Sequence, residues 1–265
     1  MYEFTYHRPG SLADAVKLLA GDPDARPISG GMTLIPTLKQ RLAQPSAVVD
    51  LSGIAELKGI TVSNGAVKIG GMTTHGAVAA SAEVARAIPA LAKMAAHIGD
   101  TQVRNRGTVG GSVANHDPAA DYPAALLALN GSVHTDKRTV SADDFFTGMF
   151  STALEPGEIV TAVSFPIPEK AGYEKFRNPA SRYAMVGVFV AKGSWGVRVG
   201  VTGAGANGVF RHTAMEEALS KNWSASALEG ITTPQDGLNG DIHASKEYRA
   251  HLIGVMAKRA LAAAG

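Results

Sequence analysis

The sequence predicts an α+β chain in three parts: two successive α/β units at residues 1–55 and 56–168, then a C-terminal unit at 169–265 built on an antiparallel three-stranded sheet with helices. Three observations carry this. Helical and strand patterns alternate around a glycine-rich turn as far as Leu51. An Asn64-Gly65 pair joins two alternating runs, which is the strongest short-range hairpin signal. Beyond Pro166 and Pro168, three strand-like runs follow one another without a helix between them, so that Pro-Ile-Pro stretch reads as a linker.

Ser11 reads as a helix cap with Asp14 in the first turn, and Leu12, Ala15, Val16 and Leu19 form an apolar stripe ending near Gly21. Arg26-Pro27-Ile28 is a short strand, and Leu34, Ile35, Leu38 and Leu42 then repeat at helical spacing. Residues 47–51 form a buried strand, and the hairpin occupies 60–69. A helical stripe of Val84, Ile88, Leu91, Ala95 and Ile98 spans 83–98, with Pro89 set to kink or split it. A helix at 123–130, strands at 132–135 and 139–140, a short helix at 142–146 and a strand at 158–165 complete the second part. The last part has strands at 173–177, 184–191 and 196–201, and helices at 212–219 and 247–263.

A chain of 265 residues with 45% hydrophobic and 18% charged residues buries a sizeable core. Its net charge of +2 comes with no basic run, which argues against nucleic acid as a partner. There are no cysteines, so disulfides, thiol nucleophiles, iron–sulfur clusters and zinc–thiolate sites are excluded from it. No apolar stretch reaches the ~20 residues of a membrane span. With no apolar signal region at 1–9, the expected location is the cytoplasm, with room for peripheral contact with the inner membrane face.

Thirty glycines are more than such a chain needs for turns, and two runs stand out. Ser29-Gly30-Gly31-Met32-Thr33 and Thr108-Val109-Gly110-Gly111-Ser112 each pair glycines with small hydroxyl residues. Paired glycines let backbone N–H groups approach an anion, so two such runs suggest one diphosphate held from both sides. Bulky residues at Gly30 or Gly110 are then expected to block the ligand while leaving a folded protein. Asp121, ten residues past the second pair, suits the hydroxyls of a sugar chain or serves as the N-cap of the next helix.

Other motifs carry less. Gly203-Ala204-Gly205-Ala206-Asn207-Gly208 matches a dinucleotide fingerprint, but no strand with an acidic end follows it, so a strand-to-helix turn is the favoured reading. His116, Asp117 and Asp121 can in principle hold a metal, although the neighbouring glycines better suit an anion. Arg104 and Arg106 are either phosphate neighbours or a solvated face. Met72, Met94 and Met256 read as core, and no nucleophile–base order or Walker lysine stands out.

Taken in order, Ser-Gly-Gly-Met-Thr-Leu-Ile-Pro (29–36), Ile-Gly-Gly-Met-Thr-Thr-His (69–75), the run from Gln102 to Asn115 and Asp-Pro-Ala-Ala-Asp-Tyr-Pro (117–123) resemble the FAD-binding medium subunit of molybdenum hydroxylases. The carbon monoxide dehydrogenase medium chain is the nearest type. The resemblance extends through 155–160 and 173–177. It implies a vanillyl-alcohol-oxidase-type fold with FAD between two subdomains. It also implies that Ser29, Gly30, Gly31, Met32, Thr33 and Leu34 face Thr108, Val109, Gly110, Gly111 and Ser112 across the diphosphate. Asp121 would take the sugar alcohol, Val160 the isoalloxazine, and Tyr183 would cover the flavin face. Arg26, Ile98, Asn115 and Arg177 match further contact positions, with no catalytic side chain and no metal ligand in this chain. Met32 and His116 depart from the family pattern, the former standing where a polar residue is common and the latter where a small one is usual.

The implied role is electron transfer. A small [2Fe-2S] subunit would pass electrons from a large molybdenum-cofactor subunit to the FAD, which would reduce quinone, oxygen or nicotinamide, in a dimer of heterotrimers. A stand-alone flavin or nicotinamide oxidoreductase and a non-catalytic nucleotide-binding subunit are the alternatives.

Overall fold

A computed structural model of the chain describes residues 1–264. The chain opens with β1 (Thr5–His7), α1 (Leu12–Gly21), β2 (Arg26–Ile28), α2 (Leu34–Lys39) and β3 (Ala47–Asp50). These strands form a three-stranded sheet in the order β1-β3-β2, with both pairings parallel. Ser11 caps α1 by accepting from the Asp14 N–H at 3.2 Å, as the sequence suggests. Strand β1 is too short and too exposed for its pattern to announce it. Helix α2 is shorter than its stripe because Arg41 takes a positive φ of 57° and turns the chain away.

The middle of the chain holds β4 (Ile60–Ser63), β5 (Ala66–Gly70) and the helices α3 (His75–Ala80), α4 (Ala82–Ala87), α5 (Pro89–Ala96) and α6 (Thr101–Arg106). Then come α7 (Val109–Asn115), α8 (Tyr122–Ala128), β6 (Ser132–Thr135), β7 (Thr139–Ser141), α9 (Ala142–Phe145), the small hairpin β8 (Phe146–Gly148) and β9 (Ser151–Thr152), and β10 (Val160–Pro166). Five strands form one sheet, β4-β5-β10-β6-β7. Its pairings are antiparallel throughout, so the α/β character expected of 56–168 is not what this sheet has. The reason is local: Asn64 and Gly65 take φ of 51° and 71°, a two-residue turn that folds β5 straight back on β4. Pro89 does split the long apolar stripe, sitting in the first turn of α5.

The C-terminal part adds β11 (Lys170–Arg177), β12 (Ala184–Gly193), β13 (Gly196–Thr202), β14 (Phe210–Arg211), α10 (Thr213–Lys221) and α11 (Lys246–Ala263). The sheet runs β11-β12-β13-β14, four strands rather than three, the fourth being two residues long. Helices α10 and α11 pack Met215, Leu219, Leu252, Ile253 and Met256 against Val186, Val188, Val199 and Val201. The other face of β11 and β12 meets the middle unit, where Tyr173 and Phe189 join a core with Leu91, Met94, Tyr122 and Leu126. With both faces covered, β12 is buried along nearly its whole length.

An ion pair between buried Glu158 and half-exposed Arg138 ties the strand β6 end to the loop before β10. Glu158 accepts from Arg138 Nε and Nη2, both at 3.1 Å, from Thr135 Oγ1 at 2.7 Å and from the Glu155 N–H at 2.7 Å. These donors outweigh the opposing effect of burial and hold the Glu158 carboxyl down at about 2, below its usual 4.5. A depressed acid stabilises the fold above the unfolded value and loses that contribution as pH falls through the folded one. Glu158→Gln is therefore expected to flatten the pH dependence of stability between about 4.5 and 2. The contribution above that window is about 2–3 kcal/mol, reduced by solvent around the half-exposed Arg138. Urea denaturation across this range checks it; an unchanged acid limb would refute the assignment.

Candidate binding cavity

A cavity of about 570 Å³ is bounded by the turn after β2, the Gly71–Met72 step after β5, the junction of α6 and α7, the N-terminal end of β10 and the β11–β12 loop. Sixteen of the eighteen residues singled out in the sequence line it: Arg26, Ser29, Gly30, Gly31, Met32, Thr33, Leu34, Ile98, Thr108, Gly110, Gly111, Ser112, Asn115, Asp121, Val160 and Tyr183. Val109 and Arg177 do not. Val109 points its side chain into the core and gives its N–H to Thr73 O at 3.0 Å. Arg177 ends β11 on the exposed surface.

The two glycine runs are not equivalent. In the first, none of the six consecutive N–H groups from Ser29 to Leu34 donates to another group among the described residues. Gly31 at φ +74° bends the turn, and Ile35 returns its N–H to Gly31 O at 3.0 Å. The second run is the first turn of helix α7, and four of its five N–H groups, all but that of Thr108, are already used. Gly110 donates to Gly71 O at 2.9 Å, Gly111 to Thr108 Oγ1 at 3.1 Å and Ser112 to Thr108 O at 3.0 Å. The expectation of two matching nests is thus corrected to one open turn facing one closed helix end.

The glycines also serve a purpose the sequence did not disclose. A Cβ on Gly30 would lie 2.0 Å from Arg106 O, and one on Gly110 would lie 2.7 Å from Gly71 O. Both are glycine because backbone meets backbone there. Bulky replacements at either would displace whole segments, so the expectation of an otherwise intact fold does not hold. Thr108 Oγ1 donates to Ser29 Oγ at 3.0 Å and joins the two runs side to side.

Asp121 sits at the start of α8 but makes no capping bond with its side chain, which removes the cap reading. The residue is buried, and its carboxylate accepts from Lys175 Nζ at 2.9 and 3.1 Å and from the Tyr173 hydroxyl. Burial, then the Asp121 charge, raises the Tyr173 hydroxyl well above its ordinary value, so it stays a donor. Tyr183 also keeps its proton, through burial and the facing carboxylates of Asp117 and Asp121.

His116 is turned away from the cavity. It caps α7 in the left-handed region at φ 42°; Nδ1 meets Ser151 O at 3.0 Å, and Nε2 accepts from the Val209 N–H at 3.4 Å. With both ring nitrogens engaged there, it neither crowds the cavity nor joins Asp117 and Asp121 around a metal. No group of three such ligands occurs among the described residues. Gly208 packs on that same ring, and Gly203 donates to Pro118 O at 2.8 Å. The Gly-x-Gly-x-x-Gly run is therefore packing for the 116–118 turn; it leads to β14 instead of a helix, and none of it lines the cavity.

Arg104 donates to Ile98 O at 3.1 Å and Gly99 O at 3.2 Å, which is neither of the roles weighed for it; Arg106 is exposed. The lining also includes Gly71, His75, Gly99, Gly107 and Arg182, none of them an expected contact, and Asp117, which the sequence offered only as a metal ligand. The third glycine step, running into Thr74-His75, was the available signal for the first two of these.

The comparisons agree with this geometry. Residues 2–168 match the family model described as the FAD binding domain in molybdopterin dehydrogenase. The chain is 35% identical to the nicotine 6-hydroxylase medium subunit of Paenarthrobacter nicotinovorans, over 98% of this chain and 96% of that one. It is 36% identical to the carbon monoxide dehydrogenase medium chain of Afipia carboxidovorans, over 97% and 95% respectively. Its fold superposes on a chain of the crystal structure of quinoline 2-oxidoreductase from Pseudomonas putida 86 with a TM-score of 0.88, at 32% identity over 99% of this chain and 97% of that one. With an α+β fold, a cavity beside the glycine turn and relatives aligned along almost its full length, the chain belongs to the FAD-binding medium subunits of the molybdenum hydroxylases, and is an oxidoreductase subunit.

Proposed function

We propose that this chain is the electron-transfer subunit of a molybdenum hydroxylase and carries FAD in the cavity described above. The observation that carries the reading is the run of unpartnered N–H groups from Ser29 to Leu34 on the cavity wall. Backbone donors without partners beside a cavity fit a diphosphate, whose oxygens accept several N–H bonds at once. The 1–55 and 56–168 units, in the vanillyl-alcohol-oxidase arrangement, hold the cofactor between them, and the 169–265 unit closes the site through Tyr183.

The bound flavin supplies two-electron redox chemistry. The chain's own residues bind and orient. The Ser29–Leu34 turn takes the diphosphate, and Ser112 and Asn115 on α7 face it with side chains instead of backbone. Asp121, held in place by Lys175 and Tyr173, offers its remaining lone pairs to the sugar-alcohol hydroxyls. Val160 gives an apolar wall for the isoalloxazine, and Tyr183 limits water at its face. None of these groups needs to move a proton for electrons to pass.

Electrons would arrive from [2Fe-2S] clusters in a small subunit, supplied by a large subunit with the molybdenum cofactor, within a dimer of heterotrimers. This chain holds no cysteine with which to bind such clusters. Quinone, oxygen or nicotinamide would take the electrons onward. The substrate belongs to the large subunit, in keeping with relatives named for substrates as different as nicotine and carbon monoxide. The purified full-length chain, as isolated or after incubation with FAD, is expected to show flavin absorption in the blue and near-ultraviolet. A colourless protein that cannot be reconstituted would overturn the reading.

A further inference from the structure

His75 opens α3, and the fold has made room for it. Its N–H donates to Gly107 O at 3.0 Å, and its Nε2 lies 2.7 Å from where a Gly107 Cβ would stand. Gly107 is therefore a glycine because an imidazole is pressed against it. The side chain is only 5% exposed, yet it lines the cavity. Its Nδ1 is fully buried and has no hydrogen-bond partner, and the same is true of the hydroxyl of Tyr122. The two rings lie 5.4 Å apart, tilted by 33°.

Buried polar atoms without partners are rare because each costs about 1–3 kcal/mol, so orphans that cluster beside a cavity call for a partner that the protein chain does not provide. Burial first, and then the charge of Arg104, lower the His75 imidazole to about 4, so the ring is neutral near pH 7. A neutral imidazole has one N–H and one lone pair. The Tyr122 hydroxyl keeps its proton, since burial and then the Asp121 charge raise it far above its ordinary value. The two orphaned groups do not satisfy each other, so the imidazole on the cavity wall is left with hydrogen-bonding capacity that the protein chain does not use.

We infer that His75 is a cofactor-positioning residue: its neutral imidazole donates a hydrogen bond to an oxygen of the bound dinucleotide. The inference rests on the proposed FAD site and adds to it an uncharged side-chain donor beside the backbone donors of the first turn. Gly107 provides the link, because its Cα lies 2.9 Å from the position of a Gly30 Cβ. The imidazole therefore stands one backbone layer from that turn. The acceptor is an oxygen of the diphosphate or of the ribityl–flavin half, and the two are separable by experiment.

The test compares wild type, His75→Leu and His75→Gln by titration of the full-length apoprotein with FAD, followed by flavin fluorescence. His75→Leu is expected to weaken FAD at least tenfold, and His75→Gln, which keeps an N–H at about the same reach, to recover most of it. Equal affinity in all three would overturn the inference. Competition by ADP and by riboflavin assigns the half: the one whose affinity falls in His75→Leu contains the acceptor. If neither falls although FAD does, the effect is structural and the inference fails.

Should His75→Leu not fold, 15N-histidine NMR of the wild-type chain decides. A His75 ring-nitrogen resonance that shifts on adding FAD supports the assignment; an unmoved resonance rejects it. A wild type that binds no FAD at all is a different result, and would remove the functional reading itself.

Discussion

Lys175→Met is expected to cost about 3–5 kcal/mol of folding stability, because it leaves the Asp121 carboxylate buried without its cation. Both side chains are almost fully enclosed, at 1% and 5% exposure, and Nζ reaches both carboxylate oxygens. Removing one charge of such a pair costs more than the pair itself contributes, since the survivor has lost its water and gained nothing. The double variant Asp121→Asn, Lys175→Met is expected to recover most of the loss, as two neutral groups are easier to bury than one charge. Urea denaturation of the three proteins measures this; a double variant no more stable than the single one would show that packing, and not charge, is what matters there. Tyr173 remains in both variants, so the comparison isolates the ammonium.

Gly30→Ala is expected to lose FAD binding by at least tenfold and to destabilise the chain by about 1–3 kcal/mol, the usual cost of overpacking. The added methyl meets a backbone carbonyl, Arg106 O at 2.0 Å, and a backbone cannot rotate aside as a side-chain end can. The first turn would be forced off the α6–α7 junction, taking Ser29 away from Thr108 and re-aiming the donors from Ser29 to Leu34. Gly21→Ala is the control, since a Cβ there meets nothing within 4 Å. It is expected to leave both stability and flavin binding within measurement error. Flavin absorbance after reconstitution, with thermal unfolding of the apoproteins alongside, tests the pair. Normal yellow colour in Gly30→Ala would refute the close contact.

Much of this architecture was legible because its cues are short-range. Ser11 capping α1, the Asn64-Gly65 turn and Pro89 at the head of α5 are each fixed by residues within a few positions of one another. The strands of the C-terminal sheet were visible because β12 is covered on both faces and so reads as a continuous apolar run. What escaped was decided by distant partners. Strand β1 has no pattern of its own and exists because β3 offers it a parallel edge. The N–H of Gly110 looked free in sequence, and only the arrival of Gly71 shows that it is used. His116 looked like a neighbour of the cavity, whereas Ser151 and Val209 hold it on the far side. His75 stood in the sequence only as the last residue of the 69–75 motif, with no role of its own, because nothing local announces that Gly107 will make space for it.

The open turn at Ser29–Leu34 has a consequence for how this site can change over time. Its donors are peptide groups, which do not titrate in water and are present whatever side chain is attached. The grip on an anion should therefore be indifferent to acidity and to most exchanges at exposed positions such as Met32. It should be intolerant of any change in the number of residues between β2 and α2. Inserting or deleting one residue there would rotate every donor out of line at once. Sequence drift at this site is free in chemistry and forbidden in length.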